Sequence, residues 1–186
     1  MRIIAGQFKG RRLWCPNRRG VRPTSERVRE AVFDALGSHV QSSRVLDIFA
    51  GTGALGFEAL SRGASKVSFV EKNRSAVQII QRNVGELGVA DLVSIKVCGA
   101  VEAINVFDRS EETFTLIFMD PPYNTDDIDH VWQQPGLRRV MSDIGVLVVE
   151  SRFPYTNRKP PDFVEKWFAR RYGDTLVEMF RLREEE

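Results

Sequence analysis

Two carboxylates and three glycines are spaced so that they could hold a cationic ligand. Residues Val45 to Glu58 read V-L-D-I-F-A-G-T-G-A-L-G-F-E, with Gly51, Gly53 and Gly56 in G-x-G-x-x-G spacing. Glycines permit a tight turn and let a ligand lie against the backbone, and the helix that follows opens with free N–H groups. Glu71 ends the next apolar run 20 residues after Gly51, where an acid accepts hydrogen bonds from a ribose diol. Loop, helix and acid predict an adenosine-containing cofactor. Asp47 separates two classes of such cofactor. Four residues before Gly51, its charge repels a pyrophosphate but attracts the ammonium and sulfonium of S-adenosyl-L-methionine. Two plainer roles compete: Asp47 as a cap for the following helix, and Glu71 as an ordinary strand-end carboxylate.

A second group follows the fourth apolar run, where Asp120-Pro121-Pro122-Tyr123 stands after Met119. An exocyclic amine on a nucleobase is a poor nucleophile, because its lone pair is delocalised into the ring. It becomes reactive when its hydrogens are held and the lone pair is aimed. The Asp120 carboxylate and the Pro121 carbonyl are two acceptors suited to that task, and Pro122 fixes the carbonyl and brings no competing N–H. Tyr123 offers a ring for a base to stack on. The competing reading is a proline-rich turn after a core strand.

These residues need a scaffold that brings strand ends together. Apolar runs near 44–50, 66–71, 92–98, 114–119 and 144–150 alternate with helical patterns near 54–62, 74–87, 100–107 and 126–141. Such alternation predicts an α/β fold with a doubly wound, mostly parallel seven-stranded Rossmann-like sheet. Its last two strands are an antiparallel hairpin, Trp167–Tyr172 and Thr175–Leu182, turning at Gly173-Asp174. Ahead of the sheet, Arg2–Gly6 and Arg11–Cys15 read as a β-hairpin, and Pro23-Thr24 opens a helix ended by Gly37. The expectation is one domain over residues 1–186, with a basic extension at 1–43 and a catalytic body at 44–186.

Composition agrees with that plan. The chain has 186 residues, 42% hydrophobic and 28% charged, enough to bury a core without a disulfide framework or structural metal. Two cysteines far apart in sequence favour a reducing cytosol, no apolar run approaches membrane-spanning length, and no apolar stretch follows Arg2 as a secretory leader needs. Net charge is +2, but residues 1–44 hold ten basic groups against three acidic ones, while the remainder carries a net −5. A basic arm on an acidic body is the pattern of a polyanion-binding surface beside a module with another task.

The sequence D-P-P-Y resembles motif IV of the amino-methyltransferases. The whole chain resembles the bacterial small-subunit ribosomal RNA guanine-N2 methyltransferases of the RsmD type, within the class I S-adenosylmethionine-dependent enzymes. The likeness runs through Arg2-Ile3-Ile4-Ala5-Gly6, Lys9-Gly10-Arg11, Arg22-Pro23-Thr24, Arg27-Val28-Arg29-Glu30-Ala31, the glycine segment and Asp120 to Tyr123. It implies methyl transfer to N2 of one guanine, nucleotide 966 of 16S rRNA, in a small-subunit particle. It also implies a cytoplasmic enzyme without a metal; a monomer is favoured because a large RNA must reach the sheet edge. Carried over, Asp120, Pro121, Pro122 and Tyr123 are catalytic. Asp47, Phe49, Gly51, Gly53, Gly56, Glu71, Gly99 and Ala100 bind the cofactor. Lys9, Arg11, Arg12, Arg22, Arg27 and Arg29 contact RNA, although Arg27 and Arg29 have helix neighbours Glu26 and Glu30 as competing partners. Phe153 is a candidate second wall for the target base. One departure stands out: where the family has an acid after the third strand, this chain has Gly99, leaving backbone groups of Gly99 and Ala100 to hold the adenine edge. The rival readings are a DNA adenine-N6 methyltransferase, for whose duplex-reading domain the chain leaves little room, and a non-catalytic RNA-binding module.

Overall fold

A computed structural model describes residues 1–15, 26–122, 126–154 and 159–184. Its seven strands are β1 (Arg44–Asp47), β2 (Lys66–Val70), β3 (Val93–Lys96), β4 (Phe114–Met119), β5 (Met141–Arg152), β6 (Val164–Tyr172) and β7 (Thr175–Leu182). They form one sheet in the order β3-β2-β1-β4-β5-β7-β6. The first five are parallel, and β7 runs antiparallel to both β5 and β6. The helices are α1 (Glu26–Leu36), α2 (Ala54–Ser61), α3 (Arg74–Leu87), α4 (Ala100–Arg109), α5 (Asp127–Trp132) and α6 (Gly136–Val140).

Strand residues alternate between two cores. Val45, Phe69, Leu116, Phe118 and Val148 face α1, α2 and α3, together with Ile3 and Leu13 of the arm. Leu46, Ile117, Met119, Leu147 and Val149 face α4, α5 and α6. Burial on both faces is why these strands are almost continuously apolar, which makes them legible in sequence. None of the described helices is long and apolar enough to cross a membrane.

Two expected elements differ. The helix expected over 126–141 is two short helices, because Pro135 lacks the N–H a continuous helix needs and instead precedes the first residue of α6. Residues beyond Val140 join β5. The N-terminal hairpin is reduced to one antiparallel bridge, Arg2 with Arg12. Its ladder stops because α2 takes the arm's next donors: Ile4 and Ala5 N–H donate to the Glu58 carboxylate at 2.9 and 3.0 Å, and Gln7 N–H donates to the Ser61 carbonyl at 2.8 Å.

Candidate active site

A cavity of about 1200 Å³ opens at the carboxyl ends of β1, β2 and β4. Asp47, Phe49, Gly51, Glu71, Gly99, Ala100, Asp120, Pro121 and Pro122 line it. Parallel strands explain the convergence, since every β-to-α connection leaves from the same edge. Tyr123 lies outside the described residues.

Asp47 ends β1 and is buried, its Oδ2 accepting the Gly56 N–H at 3.2 Å in the first turn of α2. It therefore braces the helix while also facing the cavity. Burial pushes its carboxyl from 3.8 up to about 7; the Gly56 hydrogen bond opposes the shift, and the charges of Asp120 and Glu71 add to it. Glu71 closes the glycine loop. Its Oε2 accepts the Gly51 N–H at 2.9 Å, and its Oε1 accepts the Asn73 N–H at 2.7 Å, next to the start of α3. Each oxygen retains acceptor capacity for a ligand.

The glycines divide their work. Gly51, at φ +54°, lines the cavity. Gly53 and Gly56, expected to touch the cofactor, lie behind the wall. Gly53 is the left-handed residue before α2, at φ +80°. A Cβ at Gly56 would come within 2.2 Å of the Phe69 ring, so this glycine lets α2 seat closely on β2. Gly99 precedes α4 with φ −75° and ψ 160°, and a Cβ there would meet nothing within 4 Å.

Comparison with known proteins supplies the family. Residues 1–181 match the sequence family described as Conserved hypothetical protein 95. The chain is 33% identical over 150 residues to a putative rRNA methyltransferase, YlbH, of Bacillus subtilis, covering 81% of this chain and 82% of that protein. It is 38% identical over 125 residues to the ribosomal RNA small subunit methyltransferase D of Escherichia coli K12, covering 66% of this chain and 60% of that enzyme's length. Among solved structures, a putative methyltransferase from Escherichia coli, yhhF, superposes with a TM-score of 0.86 at 28% identity over 98% of this chain and 97% of its own.

The chain belongs to the RsmD-type methyltransferase family. Membership places the fold among the class I S-adenosylmethionine-dependent enzymes.

In this family member the cationic arm is only partly available to a ligand. Lys9, Arg11, Arg12 and Arg27 are exposed, although the Arg11 guanidinium also donates to the Glu86 carbonyl. Arg22 lies outside the described residues. Arg29 corrects the expectation of a nucleic-acid contact: it is fully buried. It lies 3.5 Å from the Glu58 carboxylate and donates to the Arg2 carbonyl at 2.6 Å. Its ion-pair partner is an acid on α2, with the Glu26 charge adding at longer range. A signal was present, since Arg29 shares helical spacing with Val32, Phe33 and Leu36 and so stands on the apolar stripe. Phe153 is a second correction. It is absent from the cavity lining, where the hairpin contributes Tyr172 and Thr175 instead.

Proposed function

We propose that this chain transfers a methyl group from S-adenosyl-L-methionine to the exocyclic N2 amine of guanine 966 in 16S rRNA. The observation that carries the reading is the acidic cavity. Asp47, Glu71 and Asp120 converge on one space, and burial already holds Asp47 well above its ordinary value. A cation without phosphate relieves that repulsion; a pyrophosphate worsens it. The residues present therefore fit this cofactor.

Asp47, Phe49, Gly51, Glu71, Gly99 and Ala100 would hold it, with Gly53 and Gly56 supporting the loop from behind. When bound, it supplies an electrophilic methyl group on sulfonium. Asp120 and the Pro121 carbonyl take the hydrogens of the target amine and direct its lone pair, and Tyr123 stacks on the base. The amine nitrogen would take the methyl group, leaving S-adenosylhomocysteine, and its proton would pass to the Asp120 carboxylate. Positioning accounts for the acceleration, with roughly 7 to 11 kcal/mol accessible from proximity and orientation. Lys9, Arg11, Arg12, Arg22 and Arg27 contact RNA phosphates. The chain acts as a single-domain monomer in the cytoplasm on the small ribosomal subunit or its assembly intermediate. The relatives named as rRNA methyltransferases support this substrate class.

The test gives labelled methyl donor to the protein with naked 16S RNA, small subunits lacking the modification, duplex DNA and a protein extract. Label in N2-methylguanine of the RNA is expected. Label in N6-methyladenine, or none in RNA, overturns the assignment.

A further inference from the structure

The strand order brings three chain segments to the edge that carries Asp120. Met119 of β4 pairs in parallel with Val149, and β5 continues past it to Arg152. There Arg152 pairs with Thr175 at the start of β7, and Thr175 pairs with Tyr172 at the end of β6. The tip of the β6–β7 hairpin therefore stands at the mouth of the cavity, and Tyr172 and Thr175 form part of its lining.

This tip combines aromatic rings with cations. Phe153 is 38% exposed, and the Arg171 guanidinium lies 4.1 Å from its ring centroid. Arg170 lies 5.5 Å from the ring of Tyr172. Backbone contacts fix the arrangement. Phe153 N–H donates to the Asp174 carbonyl at 2.8 Å, and Arg171 Nε donates to the Gly173 carbonyl at 2.6 Å. Arg152, Arg170 and Arg171 are all exposed, and among the described residues none of them makes an ion pair. Three cations against Asp174, at the rim of a cavity whose floor is acidic, give a polyanionic partner a complementary surface. Aromatic rings with guanidinium planes beside them are the elements that stack single-stranded bases while tracking phosphates.

We propose that Phe153, Arg170 and Arg171, with Arg152, form a second binding site for single-stranded RNA, holding the nucleotides that adjoin the target base. This rests on the RNA reading of the cavity. The basic arm contributes Cys15 and Val28 to the same cavity, so the substrate strand is held by separate cationic segments around an acidic floor that would otherwise repel its phosphates.

The experiment measures binding of a fluorescein-labelled single-stranded 16S fragment containing the target guanine across a salt series, and methylation of the same fragment. Arg170→Ala with Arg171→Ala lowers the slope of log affinity against log salt by about 1.4, at roughly 0.7 per lost single-strand phosphate contact. Phe153→Ala weakens binding about tenfold at constant slope, as expected for a lost stacking ring. Arg170→Lys with Arg171→Lys keeps the wild-type slope. S-adenosylhomocysteine affinity stays at the wild-type value in every variant, which separates a lost RNA contact from a damaged fold, and KM for RNA rises while kcat holds. Unchanged slope and KM in variants of an RNA-methylating protein overturn this site alone. A wild-type protein that methylates neither naked 16S RNA nor small subunits lacking the modification overturns the cavity reading with it. Full activity of the variants on naked RNA, with loss only on assembled subunits, would assign the patch to ribosomal protein and so overturn the proposal.

Discussion

Asp47 offers the sharpest test of the cavity's electrostatics. With its carboxyl raised from 3.8 to about 7 by burial and by Asp120 and Glu71, the folded protein keeps a proton that the unfolded chain has released. The stability this contributes is complete below 3.8 and is lost as pH rises through about 7. At roughly 1.4 kcal/mol per pH unit, the span between the two values corresponds to about 4 kcal/mol. About 2 kcal/mol of it falls between roughly pH 5.5 and 8.5. Urea unfolding of the ligand-free protein across that range should show the decline. Asp47→Asn keeps an acceptor for the Gly56 N–H and removes the charge, so its stability should lose that slope. A cation entering the cavity must lower the same carboxyl. Calorimetry of S-adenosyl-L-methionine binding near pH 6.5, in buffers of different ionisation enthalpy, should therefore report release of more than roughly half a proton. S-adenosylhomocysteine, which lacks the sulfonium charge, should release less. Equal pH slopes in wild type and Asp47→Asn, with no proton released on binding, would refute the reasoning.

Glu58→Ala should destabilise the protein by about 3 to 5 kcal/mol in urea unfolding, because it leaves the Arg29 guanidinium buried without its anion. A loss below about 1 kcal/mol would show that Arg29 finds another partner. Gly99→Asp enters open space at the N-cap of α4, and should tighten S-adenosyl-L-methionine binding by about 0.5 to 1.5 kcal/mol, one hydrogen bond. A calorimetric titration with no gain would remove Gly99 from the adenine edge. Asp120→Ala should leave donor binding near normal while slowing methyl transfer by on the order of 10² or more; single-turnover rates equal to wild type would make Asp120 structural.

Much of this arrangement could be read in the sequence because a parallel sheet ties position to pattern. Asp47, Glu71 and Asp120 each end or follow an apolar run, and in such a sheet the ends of all the strands lie on one edge. What escaped was decided by packing between distant segments. The G-x-G-x-x-G spacing does not reveal that Gly56 faces Phe69 rather than the cavity. The hairpin signal at Gly173-Asp174 located a turn, but only the order β5-β7-β6 puts Tyr172 at the cavity while Phe153 lies beside it. The Arg29–Glu58 pair joins helices whose partnership no local pattern encodes, although the position of Arg29 on the apolar stripe marked it as an unusual cation.

The charge division between arm and body does not coincide with a division in packing. The arm is held by the two helices that follow the cavity's strand ends. Glu58 and Ser61 of α2 take its N–H groups near Ala5 and Gln7. On α3, the buried Asn83 accepts the Trp14 N–H at 2.7 Å and donates to the carbonyls of Trp14 at 3.2 Å and Thr52 at 3.3 Å. One amide thus joins the arm to the loop between Gly51 and Gly53. Removing the arm would strip partners from the Asn83 amide and the Glu58 carboxylate, and a buried polar group left unsatisfied costs about 1 to 3 kcal/mol. Among the described residues the basic segment is tied to the acidic body by backbone N–H groups and by the buried Arg29–Glu58 pair, while Lys9, Arg11, Arg12 and Arg27 are exposed. Those exposed groups leave charge for a partner, whereas Arg2 pairs with Glu26 at 3.2 Å and Arg29 with Glu58, and the arm's fold is supplied by the helices beside the cavity.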